Sequence, residues 1–143
     1  MMRTLATLAM LSVSSVAAAQ DANNPWERRV PPEMPPTAER SGYCCMTLHS
    51  REDGSVEAMD IGYCTESVFD PATEAAVSQW RFAPESRDRY SKGGEVMQQI
   101  MTYQLADMFD RCIPDPDGRM CNGEGGFVKD MNYDYLCRAD WVS

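Results

Sequence analysis

The sequence predicts an α+β fold: a small three-stranded antiparallel sheet with one main helix packed on it, followed by a disulfide-stapled C-terminal extension. Three observations predict it. Residues 70–84, DPATEAAVSQWRFAP, place apolar side chains at helical spacing and stop at a proline. Two runs of alternating apolar residues flank Asp53-Gly54, a strong hairpin turn, and a third run follows the helix. Six cysteines, all beyond residue 43, form an even set in a small chain.

Residues 1–20 read as a signal peptide. Arg3 is the basic start, Leu5 to Val16 the apolar centre and Ala17-Ala18-Ala19 the cleavage site, with a retained inner-membrane anchor as the alternative. Residues 21–30 are a proline-containing lead-in, and proline enrichment continues through Pro36. Thr37 to Ser41 suits one helical turn ended by Gly42 in the left-handed region. A strand follows, with Cys44, Met46 and Leu48 on one face and Cys45, Thr47 and His49 on the other. After Asp53-Gly54 the return strand runs from Val56 to Tyr63, with Met59, Ile61 and Tyr63 on one face. Val56 is out of phase, so a bulge near the turn is expected.

The helix is expected to be capped by Asp70, with Pro71 at its first position and Phe69, Thr73, Ala76, Val77 and Trp80 as its buried stripe. Trp80, Phe82 and Pro84 form its stop. Beyond a charged loop, Val96 to Leu105 alternates as a strand with Met97, Met101, Tyr103 and Leu105 on one face. Residues 106–143 form a cysteine-containing extension in which Phe127 to Leu136 suits a short strand or helix.

The formal net charge is −9, which argues against nucleic acid and anionic lipid as partners. Six cysteines allow 15 pairings. The first expected bond is Cys44–Cys64 across the open end of the hairpin; Cys45 faces the other way and is expected to hold the tail through Cys137 or Cys112, with Cys112–Cys121 as a local loop. No C-x-x-C motif occurs and His49 is the only histidine, so no metal, cofactor or catalytic residue is expected. Met97 and Met101 share an inward strand face, where methionine fills gaps. Asp115, Asp117, Gly118 and Glu124 fall at calcium-loop offsets, but Ile113 occupies the first ligand position and the segment reads as a turn.

Residues 31–105 resemble the C-terminal domain of the TonB energy-transducer family. The resemblance rests on Pro35-Pro36-Thr37-Ala38, on Gly42 ahead of Cys44, Met46 and Leu48, and on Asp53-Gly54 followed by Val56. It extends through Phe69-Asp70, Ala76-Val77, Trp80-Arg81-Phe82-Ala83-Pro84, Gly94 and Tyr103-Gln104-Leu105. It implies a periplasmic, non-enzymatic module that contacts outer-membrane receptors and is accessory to energy-dependent transport. A receptor segment would add as a strand at the 94–105 edge, held by the main chain of Val96, Gln98, Ile100, Thr102 and Gln104. The removable leader and the short lead-in give the expectation of a free-standing module. Inner-membrane association is expected only if the leader is retained. Two alternatives stand beside it: a structural or regulatory envelope protein whose tail masks that edge, and a periplasmic metal-binding or redox protein.

Overall fold

A computed structural model describes residues 24–129 and 131–137; the expected signal segment over 1–20 and Trp141 lie outside the described residues. In chain order the elements are β1 (Trp26–Arg28), β2 (Gly42–Ser50), β3 (Val56–Cys64), α1 (Phe69–Val77), β4 (Arg81–Phe82), β5 (Met97–Tyr103) and α2 (Tyr133–Cys137). The α+β class holds, but there are two antiparallel sheets rather than one. The main sheet has the order β3-β2-β5, and a second, two-stranded sheet joins β1 to β4.

Strand β2 is central, and from Gly42 to Met46 both of its faces are buried, which is why that stretch carries no charged residue. On one face Cys44, Met46 and Leu48 meet Phe69, Ala76 and Val77 of α1, Met97, Met101 and Tyr103 of β5, and Trp26, Trp80 and Phe82. The aromatic groups interlock: Phe69 stacks on Tyr103 at 4.3 Å between centroids, and Trp26 lies 4.3 Å from Phe82 and 5.0 Å from Trp80. On the other face Tyr43 and Cys45 meet Cys112, Met120 and Leu136 of the extension. Adjacent cysteines therefore serve opposite faces. Cys44 is bonded to Cys64, Cys45 to Cys137, and Cys112 to Cys121.

Several local expectations give way to tertiary context. Residues 26–28 are not a free lead-in: Trp26 is buried opposite Phe82, and the amide of Ala83 donates to the carbonyl of Pro25 at 2.8 Å. The helix stops at Val77, earlier than its apolar spacing suggests, because Trp80 and Phe82 are buried on either side of exposed Arg81 and follow a strand period. Asp70 does not cap α1. The cap position is Val68, and the amides of Phe69 and Asp70 are already met by the carbonyls of Glu66 and Ser67.

No helical turn forms at 37–41, where only a Pro35–Ala38 turn occurs. Gly42 opens β2 instead, and a Cβ there would strike the hydroxyl of Thr65 and the ring of Phe69. The expected bulge near the hairpin turn is present, since the register jumps from His49 opposite Ala58 to Ser50 opposite Val56. A second jump passes over Gly62. It leaves Met59 and Ile61 on the helix face but sends Tyr63 to the tail face, away from the face it was expected to share.

The three disulfides indicate an oxidising compartment. No helix among the described residues is long and apolar enough to cross a membrane.

Candidate functional site

The hydrogen bonding of β2 decides which way the backbone of β5 points. Tyr43 turns its main chain toward the β3 side, accepting from the amide of Thr65 at 3.0 Å and donating to the Thr65 hydroxyl at 3.1 Å. Backbone groups alternate sides along a strand, so Gly42, Cys44, Met46 and Leu48 turn theirs toward β5. The unbroken register sets these opposite Tyr103, Met101, Gln99 and Met97. Gln98, Ile100 and Thr102 consequently direct their amides and carbonyls away from β2, along the outer edge of the sheet.

That edge is the floor of a trough of ≈ 730 Å³. Its lining includes Gln98, Ile100, Thr102 and Gln104 together with Arg29 on one side and Phe127, Lys129 and Tyr133 on the other. Val96 precedes β5, is exposed and does not contribute to the lining. The lead-in makes one wall. Val30 is pinned by the indole N–H of Trp80, which donates to its carbonyl at 2.7 Å, and Pro31 and Pro32 run past Ile100, Thr102 and Gln104. Proline carries no amide hydrogen, so this segment cannot zip onto β5 as a fourth strand at those two positions.

The extension makes the other wall. It is fixed where β2 begins and β5 ends. The Ser41 hydroxyl donates to the Leu105 carbonyl at 3.1 Å and accepts from the Leu105 amide at 2.8 Å, and the Ile113 amide donates to that same carbonyl at 2.8 Å. Further along, the Tyr43 hydroxyl donates to the Leu136 carbonyl at 3.1 Å, and Cys137 is bonded to Cys45. The tail thus covers a face of the sheet. Among the described residues no hydrogen bond reaches the outward backbone groups of Ile100 or Thr102.

The electrostatics of the trough differ from those of the chain. Arg29 is exposed and lies over the Trp80 ring at 4.7 Å, where partial desolvation lowers its pKa. No acidic residue lines the trough among the described residues. The pairs that do form involve other arginines: Arg40–Glu66, Arg87–Glu27, Arg89–Glu95, Arg111–Asp107 and Arg119–Asp117.

The remaining predicted residues serve the framework. Asp53 accepts from the amide and hydroxyl of Ser55 at 2.9 and 2.6 Å, and these bonds hold its carboxyl below the usual carboxylate range. Gly54 has φ of 87° and accepts from the amide of Phe82 at 2.7 Å, which docks the hairpin turn on β4. Pro84 begins a 3₁₀ turn over Pro84–Ser86.

Sequence reasoning did not find Arg29, Phe127, Lys129 and Tyr133, since only the tertiary fold brings them to β5. The adjacent prolines 31 and 32 were the one visible sign of a wall segment.

One cluster has the composition of a metal site. Cys44, Cys64 and Asp70 place their ligand atoms within 4.8 Å of one another. Both sulfurs belong to one disulfide, however, and a metal needs thiolates. For the same reason the 3.1 Å approach of Cys64 Sγ to Asp70 Oδ1 is a contact and not a hydrogen bond, because a disulfide sulfur has no proton. In the extension Asp115 accepts from the amide of Met120 at 2.7 Å and Asp117 pairs with Arg119 at 2.8 Å, the arrangement of an ordinary turn. No protein-family model matches this chain and no curated protein matches it, so the site is read from its own geometry.

Proposed function

We propose that this chain is a periplasmic protein–protein interaction module of the kind its sequence resembles, the receptor-contacting domain of the TonB family. In this role it takes up an extended segment of an outer-membrane receptor as an added strand on β5, in support of energy-dependent transport. The observation that carries the reading is an outward-facing strand edge lying open at the bottom of a two-walled trough. An incoming backbone would find the amides and carbonyls of Ile100 and Thr102 aimed at it. Two residues offer four backbone groups. At about 1 kcal/mol each, these correspond to only millimolar affinity, so contacts with the walls must supply the rest.

The test uses Ile100→Pro with capped seven-residue peptides from periplasm-facing segments of outer-membrane receptors. Proline is tolerated on an outer edge and removes one outward donor without touching the bonds to β2. The expected result is loss of peptide binding by about tenfold or more, with near-ultraviolet circular dichroism unchanged. Unchanged binding by the folded variant overturns the proposal. A second measurement keeps the protein intact and methylates alternate peptide amides. Binding should survive in one alternation and fail in the other, and equal binding of both overturns strand addition.

A further inference from the structure

We infer that Asp70 makes the Cys44–Cys64 bond a charge-selective site of thiol exchange, open to small cationic thiols and guarded against anionic ones. The inference is independent of strand addition on β5. It gives a role to an aspartate that α1 does not use as its cap, and three observations carry it.

The first is access. Cys44 is fully buried in the main core, whereas Cys64 is half-buried at the end of β3. A thiolate arriving from solvent therefore reaches the Cys64 sulfur, and the Cys44 sulfur becomes the leaving group. The incoming sulfur bonds to Cys64 Sγ, the bond between the two protein sulfurs breaks, and its electron pair stays on Cys44 as a thiolate. A second reagent thiolate then attacks the mixed disulfide and frees Cys64. In sum, two reagent thiols pass two electrons and two protons to the protein and leave as their own disulfide.

The second is charge at that entrance. Asp70 Oδ1 lies 3.1 Å from Cys64 Sγ, and the carboxylate and both sulfurs fall within 4.8 Å of one another. Among the described residues Asp70 forms no ion pair, so no guanidinium or ammonium cancels its charge there. At about 4 Å one unit charge alters the approach of another by about fivefold even in water. Neither of the other two disulfides has a carboxylate within 4.8 Å of both its sulfurs among the described residues.

The third is the setting of α1. The first turn of a helix favours a thiolate beside it, because its free amides carry partial positive charge. Here the amides of Phe69 and Asp70 are already taken by the carbonyls of Glu66 and Ser67, and Asp70 adds a full negative charge to the same turn. On the leaving side, the Thr73 hydroxyl lies 3.4 Å from Cys44 Sγ in a pocket otherwise built from Phe69, Met101 and Tyr103. A thiolate on Cys44 is thus poorly stabilised. Exchange is slow for every reagent, and the sign of the reagent's charge at Asp70 decides between them.

The experiment follows cleavage of each disulfide in the oxidised full chain by alkylation and peptide mass. Cysteamine is the cationic thiol and 2-mercaptoethanesulfonate the anionic one. Both bonds in a comparison meet the same reagents, so differences in intrinsic nucleophilicity cancel. The cysteamine preference at Cys44–Cys64 is expected to exceed that at Cys112–Cys121 by about tenfold at low salt, and by about threefold or less in about 1 M salt. Asp70→Asn should bring the two preferences together, and Asp70→Glu should keep most of the difference. A substitution that only loosens the fold speeds both reagents alike, so a difference that survives in Asp70→Asn overturns the proposal. Should that variant fail to fold, the salt dependence in the native protein decides. Equal preferences at the two bonds of the native protein overturn the proposal. So does cleavage of Cys44–Cys64 at a rate independent of reagent concentration, which assigns its opening to unfolding.

Discussion

Tyr103 shows how much one residue of β5 contributes away from the edge. Its ring stacks on Phe69, and its hydroxyl is 2.6 Å from that of Thr73 and donates to the Phe69 carbonyl at 3.3 Å. Burial raises its pKa, against a smaller lowering by the Thr73 hydroxyl and with a further rise from the charge of Asp70. The direction fixes a pH dependence. In the unfolded chain this phenol ionises near pH 10, whereas in the folded chain it holds its proton to higher pH. Its contribution to stability is complete below about pH 10 and declines as the pH rises through the folded value. Urea midpoints measured from about pH 8 to about pH 11 should fall on the alkaline side for the native protein. They should fall less steeply for Tyr103→Phe. A variant with the same alkaline slope as the native protein would show that Tyr103 is not the titrating group. Tyr63, raised chiefly by burial, accounts for part of any slope that remains.

At the scale of elements, the hairpin turn and β4 depend on each other. Gly54 adopts φ of 87°, and a Cβ at that position would lie 2.7 Å from the Phe82 carbonyl oxygen. Gly54→Ala should therefore cost about 1–3 kcal/mol in chemical denaturation and loosen the β1–β4 sheet along with the turn. A loss below about 0.5 kcal/mol would mean that the turn and β4 are not coupled in this way.

The elements that were legible in the sequence share one property, a long and regular pattern. The alternation of Cys44, Met46 and Leu48 and that of Met97, Met101 and Tyr103 each persist long enough to define a face. Phe69, Thr73, Ala76 and Val77 do the same at helical period and are the buried residues of α1. Strands β1 and β4 have three and two residues, too few to show any period. Trp80 and Phe82 looked like the end of a helix because an i, i+2 pair is compatible with either reading when it stands next to a proline. The trough was legible only in its floor. Arg29 and Lys129 come to β5 from distant parts of the chain, and local spacing carries no trace of that meeting.

Over the whole molecule, two layers clasp one sheet: α1 with β1 and β4 on one side, and the cysteine-bound extension on the other. The second layer holds a small core of Tyr43, Cys45, Cys112, Met120 and Leu136, so covalent closure matters more there. The Cys45–Cys137 bond spans 92 residues of sequence, for which loop entropy gives a stabilisation of about 4–5 kcal/mol. Replacing both cysteines by serine should lower stability by a large part of that amount. It should also render residues 106–137 open to proteolysis while β2, β3 and α1 stay protected. Unaltered protection of the extension would place its anchorage elsewhere, in the Tyr43–Leu136 hydrogen bond and the packing of Leu136.

The neighbouring sulfurs at 44 and 45 also pose a choice of partner. Position 64 lies 20 residues from 44 and position 137 lies 92 from 45, so the nearer thiol has two candidates and only one correct choice. Linking 64 to 45 instead would draw the wrong side of the ribbon inward and strand the later arrival without its mate. The alternation of a β-strand prevents that error by pointing the two thiols apart. In the formed hairpin 44 stands on the side of 64 and 45 points away from it, so a bond made there takes the right sulfur and leaves 45 for its distant partner.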